Sequence, residues 1–167
     1  IKVYQSHVLE EEMQRREAGE SRPKQNESRR RNVEEELKRE QAMRSTLKEL
    51  ICGAEHGDIW AQYSLAIRYH HGWSVARNHT TAVTWYRQAA KQGHAEAQFN
   101  LANMCRNGLG VPQDDAEAVT WYRKSAEQGH ARAQFELAYM YDLGRVDFVP
   151  SDTEAVKWYR KSAEQSD

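Results

Sequence analysis

The sequence predicts an all-α protein built as an array of stacked helical hairpins. The stretch "VTWYRQAAKQGHAEAQFNLA" at residues 83–102 is written again as "VTWYRKSAEQGHARAQFELA" at 119–138, and self-similarity at a fixed period marks a repeat architecture. Gly57, Gly93 and Gly129 stand 36 residues apart and open the matching blocks "GDIWAQYSLA", "GHAEAQFNLA" and "GHARAQFELA". Inside each period, apolar and small residues recur at spacings of three and four, the mark of a helix with one buried face.

The elements follow in chain order. Residues 1–32 read as a charged arm or linker. "VYQSHVLEEEMQRRE" suits a short amphipathic helix through Tyr4, Val8 and Leu9, whereas "AGESRPKQNESRRRN" is too poor in apolar residues to build a core. Residues 33–56 read as a degenerate second helix that caps the stack, because "LICGAEHG" (50–57) sets in register with "YRQAAKQG" (86–93). The repeats then occupy 57–92, 93–128 and 129–167.

The second repeat shows the internal logic. Ala97, Leu101, Met104, Cys105 and Gly108 form one helical face, with small residues where a neighbouring helix approaches. "NGLGVPQDD" is the turn, with Asp114 or Asp115 as N-cap. A second helix carries Ala118, Tyr122 and Ala126 at steps of four and runs to Gln128, where Gly129 stops it. Trp85 and Trp121 are 36 residues apart, and Trp158 follows after 37. The extra residue falls in "GRVDFVPSD", which that length change marks as a loop.

Bulk properties narrow the function classes. The chain has 167 residues, 24 basic and 25 acidic, for a net charge of −1, so no whole-molecule field draws it to nucleic acid or to an anionic membrane. A mean hydropathy of −0.96 says that part of the chain builds no core. No run of eighteen apolar residues offers a transmembrane span, and the first residues carry no apolar signal core. Cys52 and Cys105 have no metal-type spacing and read as two small buried hydrophobes. The chain opens on Ile1 and stops at "WYRKSAEQSD", with Ser166 in the place of a repeat-opening glycine; the expectation is a piece of a longer protein cut near a repeat boundary.

The alanine-rich "AxAQxxLA", the turn "GLGVPQD" and "AxxWYRKSAEQG" on a 36-residue period resemble the Sel-one-like repeat, a relative of the tetratricopeptide repeat. The resemblance covers residues 57–167. The first repeat departs from it at Ser74 for the turn glycine, Ala76 for proline and Asn78 for aspartate. It implies an α-solenoid whose first helices line a concave surface, and a non-catalytic adaptor or scaffold. Such proteins occur in bacterial cytoplasm and periplasm and in the endoplasmic reticulum.

Comparing the copies separates frame from variation. The varied letters on the first helices are Trp60, Ser64, Ile67 and His71, then Glu96, Asn100, Asn103 and Asn107, then Arg132, Glu136, Tyr139 and Leu143. Spacings of four, three and four set each quartet on one stripe, about a quarter turn from the buried face. The expected role is a groove for a peptide or protein segment. The asparagines would bond its backbone, and Trp60 and Tyr139 would cover its apolar side chains. The alternative is a structural spacer, or self-association through the C-terminal hairpin.

Other chemistries are discounted. Adjacent His70 and His71 point about 100° apart on a helix, a poor pair for one metal. His94 and His130 recur at one place in the turn and read as structural. Asp114, Asp115 and Asp152 suit helix caps better than general bases. No GxSxG, P-loop or HExxH is present. Neither catalysis, a metal nor a cofactor is expected. Trp85, Trp121 and Trp158 read as core rather than as a base-stacking ladder. The stripe holds one arginine, Arg132, against Glu96 and Glu136, so docking to nucleic acid or a membrane surface would fall to the basic arm, which carries five cations against one glutamate in residues 21–31. Asn26-Glu27-Ser28 and Asn78-His79-Thr80 are formal glycosylation acceptors.

Overall fold

A computed structural model describes residues 33–39, 41–42, 44–145 and 151–165. The expected arm, its helix through Tyr4, Val8 and Leu9, the acceptor at Asn26 and most of the "GRVDFVPSD" loop lie outside the described residues. The chain forms two compact units, Ile1–Thr46 and Leu47–Asp167. In the first, the described residues are helical, Val33 and Leu37 are exposed, and the Thr46 hydroxyl donates to the Ala42 carbonyl at 3.0 Å.

The second unit holds the repeats. After helical residues 47–55 (α1) come α2 (Ile59–His71), α3 (His79–Lys91), α4 (Ala95–Asn107), α5 (Asp115–Glu127), α6 (Ala131–Asp142) and α7 (Asp152–Ala163). From α2 onward each helix packs on the next, so the chain runs as consecutive hairpins. Gly53 brings α1 against α2: a β-carbon there would sit 3.2 Å from that of Ala61.

Capping residues place the helix starts. Asp58, His94 and His130 share one register and take the third N–H of α2, α4 and α6; Asn78 and Asp114 do the same for α3 and α5. Asn78 therefore serves where the family pattern has aspartate. At α7 the expected cap moves by one residue: Ser151 holds the N-cap position, makes no side-chain capping bond, and Asp152 is the first helical residue. The turn glycine is the more instructive departure. Ser74 adopts φ 62°, close to the 75° of Gly110 in the same register, so the turn survives the substitution.

The core is the expected face except at Gly108, which is exposed and ends α4 as its C-cap. Ala97, Leu101, Met104 and Cys105 of α4 meet Ala118, Tyr122 and Ala126 of α5, all fully buried. Trp121 and Trp158 are buried, and Trp85 packs against the same cluster. Cys52 corrects the reading of two buried cysteines: it is exposed while Cys105 is buried. Its register partners Gln88 and Lys124 are exposed as well, so Cys52 stands on the outer face of its helix.

Buried glutamines tie the hairpins together. Gln62, Gln98 and Gln134 each donate from Nε2 to the carbonyl of Ala54, Ala90 or Ala126, at 3.0–3.1 Å. Their Oε1 atoms accept from Gln92, Gln128 and Gln165 at 2.7–2.9 Å. Both ends of each buried amide are thus occupied, as burial in an apolar stack requires.

Candidate functional site

The varied letters of α2, α4 and α6 meet different fates. Trp60 is 70% exposed and His71 is exposed; Ser64 and Ile67 are half-buried, and Ile67 packs against the core. On α4, Glu96, Asn100 and Asn103 are half-buried and Asn107 is exposed. On α6, Arg132, Tyr139 and Leu143 are exposed and Glu136 is half-buried, with Leu143 at the C-cap. The stripe is therefore part surface and part seam between hairpins.

Its asparagines are positioned by their neighbours. Burial pushes the Tyr122 hydroxyl well above the usual phenol range, so it keeps its proton. That proton is donated to Asn103 Oδ1 at 2.6 Å. The Arg106 guanidinium lies 5.8 Å from the centre of the same ring and bonds to Glu136 on α6. Asn107 Nδ2 donates to the Asn103 carbonyl at 2.8 Å. Among the described residues, Asn103 Nδ2 and Asn107 Oδ1 remain unengaged, one donor and one acceptor a helical turn apart. In the first repeat Ile67 stands where Asn103 does, and the Tyr86 hydroxyl instead lies 3.3 Å from His70 Nδ1.

Most of the stripe's charge is spent internally. Glu96 accepts from His130 Nε2 at 2.8 Å, and Glu136 pairs with Arg106. Two shallow clefts open beside it. One, of about 280 Å³, joins Asn107, Tyr139 and Leu143 with Arg106 and Arg145. The other, of about 270 Å³, joins Arg132 and Glu136 with Phe99 and Phe135.

Two residues escaped the sequence reading. Trp73, 59% exposed, stacks on His71 with ring centres 4.7 Å apart. It occupies the register of Leu109, which packs on the core, so the signal was an aromatic at an aliphatic position. Phe135 is 51% exposed and meets Tyr159, whereas Tyr63 and Phe99 are stacked by His94 and His130. The rings of His70 and His71 stack at 4.6 Å and 12° rather than diverging. Among the described residues no group of three or more His, Cys, Asp or Glu side chains could hold a metal ion, and no helix is long and apolar enough to cross a membrane.

The family model for the Sel1 repeat matches residues 61–94, 95–130 and 131–167. The chain belongs to the Sel1 repeat family. Among solved structures, the Sel1 repeat chain is similar to c5321, a protective antigen of uropathogenic Escherichia coli with an SLR fold: 37% identity, TM-score 0.69, covering 71% of this chain but only 25% of that one. It is also similar to a Sel1 repeat protein from Oxalobacter formigenes, at 35% identity and TM-score 0.65, over 73% of this chain and 91% of that one. Helicobacter pylori cysteine rich protein B shares the fold at 16% identity and TM-score 0.56, over 77% and 91% of the two chains. No match was found among curated proteins. Sel1 repeats typically mediate protein interactions and are generally non-catalytic.

Proposed function

We propose that the chain is a non-catalytic interaction module that holds an extended peptide or protein segment along the first-helix stripe. The observation that carries this reading is the Asn103–Asn107 pair. Internal bonds engage both side chains while leaving one donor and one acceptor unused among the described residues, the complement of a peptide C=O and N–H. Fixed side chains lose little further entropy on binding. Trp60 and Tyr139 offer exposed aromatic area on the helices to either side of α4. Because Glu96 and Glu136 are already paired, the stripe presents Arg132 as a single cation and is poorly suited to a phosphate backbone.

The test uses peptides selected from a random library on the full chain. Asn103 is a poor probe, since removing it would strand the buried Tyr122 hydroxyl. Asn107→Ala and Tyr139→Ala change exposed side chains instead. The expectation is that together they weaken the selected peptides at least about tenfold with helicity unchanged. Unaltered affinity would remove the stripe from consideration. Self-association is the second reading, favoured by Phe135 and by Val156 on α7, both about half exposed. Sedimentation that stays monomeric at high concentration would dismiss it.

A further inference from the structure

His94 and His130 occupy one register and are built into the stack alike. Each accepts the third N–H of its own helix on Nδ1, at 3.2 Å from Ala97 and 3.1 Å from Ala133. Each also stacks on a ring of the preceding first helix, Tyr63 at 4.4 Å and Phe99 at 4.8 Å. An Nδ1 that accepts from a backbone N–H places the ring proton on Nε2, so Nε2 is a donor in both histidines. There the likeness ends. His130 donates to Glu96, 2.8 Å away. One repeat earlier, the residue in the register of Glu96 is Trp60, which has no side-chain acceptor. The Trp60 ring stands at 81° to that of His94, 4.7 Å between centres. His94 Nε2 is buried and has no hydrogen-bond partner among the described residues.

We propose that this step of the stack is a carboxylate-reading subsite: an aspartate or glutamate of a bound protein segment accepts from His94 Nε2, as Glu96 does from His130. Nothing like the hold on a core aromatic fixes Trp60, which is largely exposed, so its rotation uncovers the histidine and lays the indole over the apolar stem of the incoming acid. Glu96 is engaged by His130 and does not reach back to take the place. A buried donor without an acceptor is the costly state, and a carboxylate is the acceptor this protein already uses for it. The assignment rests on the groove reading above and adds to it the chemistry of one end.

Trp60→Glu gives the decisive experiment, because it writes the acid of the next repeat into this one. Peptides are selected from a random dodecapeptide library on the full chain and remade with each acidic residue changed to leucine. The expected result is that one acid is required, that its loss weakens binding about tenfold or more, and that Trp60→Glu raises the melting temperature and abolishes the preference. Trp60→Ala should keep the preference, since it leaves the donor in place. In ¹⁵N-histidine spectra the His94 Nε2 proton should shift on binding of the acidic peptide and not of its leucine version. Selected peptides with no acid requirement, or an acid requirement unchanged in Trp60→Glu, would overturn the subsite. If Asn107→Ala with Tyr139→Ala weakens binding about tenfold in that case, the groove stands without it. If no peptide is selected, both readings fall.

Discussion

Gly110 lies so close to His79 that a β-carbon on it would stand 2.4 Å from the His79 carbonyl carbon and 2.6 Å from its oxygen. The turn between α4 and α5 is thereby pressed onto the start of α3, and the glycine also holds φ 75°. Ser74 has the same register and a similar φ of 62°, yet it is exposed. Two demands coincide at Gly110, and only the conformational one applies at Ser74.

Gly110→Ala is therefore expected to lose about 2–4 kcal/mol, combining the left-handed penalty with a backbone clash. Ser74→Gly should be neutral or gain about 0.5–1 kcal/mol, the relief of a left-handed side chain offset by a freer unfolded chain. Urea unfolding of the two variants beside the parent checks both. Equal small effects would mean that the turn can move off α3.

The glutamine ladder makes a second prediction. Gln98 is buried, donating to Ala90 and accepting from Gln128. Gln98→Leu is close in volume, so packing loss is small, but two bonds are lost: the Ala90 carbonyl keeps only the Gly93 N–H and the Gln128 amide only the Lys124 carbonyl. The expected cost is about 1–3 kcal/mol. Gln128→Ala, which removes the more exposed end, should cost less. A neutral Gln98→Leu in thermal melts would show the ladder to be ornamental to stability.

These elements explain what was legible in the chain. Period and core face are set by local chemistry repeated in register, so Ala118 and Tyr122 could be placed from letters alone, and the cap narrowed to Asp114 or Asp115. Cys52 was misread because its type suggested burial while its register, shared with Gln88 and Lys124, pointed outward. The stripe was found as variation, but its division into seam and surface was not. Whether Asn103 faces a ligand or a neighbour depends on Tyr122, nineteen residues on. The bare donor on His94 is likewise a relation between Trp60 and Glu96, visible only when the repeats are stacked.

Cysteine chemistry separates the two thiols. Burial, with Glu117 nearby, pushes the Cys105 thiol up to about 11. At about pH 8 that leaves roughly a thousandth of it as thiolate, and the side chain has no access to solvent besides. Iodoacetamide is expected to modify the native protein once, at the exposed Cys52, and twice after unfolding. Stability should also fall as pH rises from the ordinary thiol range near 8.5 toward that value, because the unfolded chain releases the proton first. Fast double labelling of the native protein would refute the burial of Cys105.

Acid should loosen the stack through two histidines. Burial holds His70 below the usual imidazole range, with His71 and His79 acting the same way. Burial also lowers His94, against an opposing pull from Glu96. A histidine whose folded pKa is depressed takes its proton more readily when unfolded, so the unfolded state binds more protons. Stability is then expected to fall as pH drops below about 6.5. Glu117, held low by Trp121 and Arg87 against the opposing effect of burial, acts in the same direction only below about 4.5. Melting temperatures between about pH 5 and 7.5 thus isolate the histidines. His94→Asp keeps a cap of the kind Asp58 supplies in the same register and removes one titrating group, so it should flatten part of the slope. His70→Gln should flatten more of it when added. A parent profile already flat across that window would show that neither ring resists protonation in the folded chain.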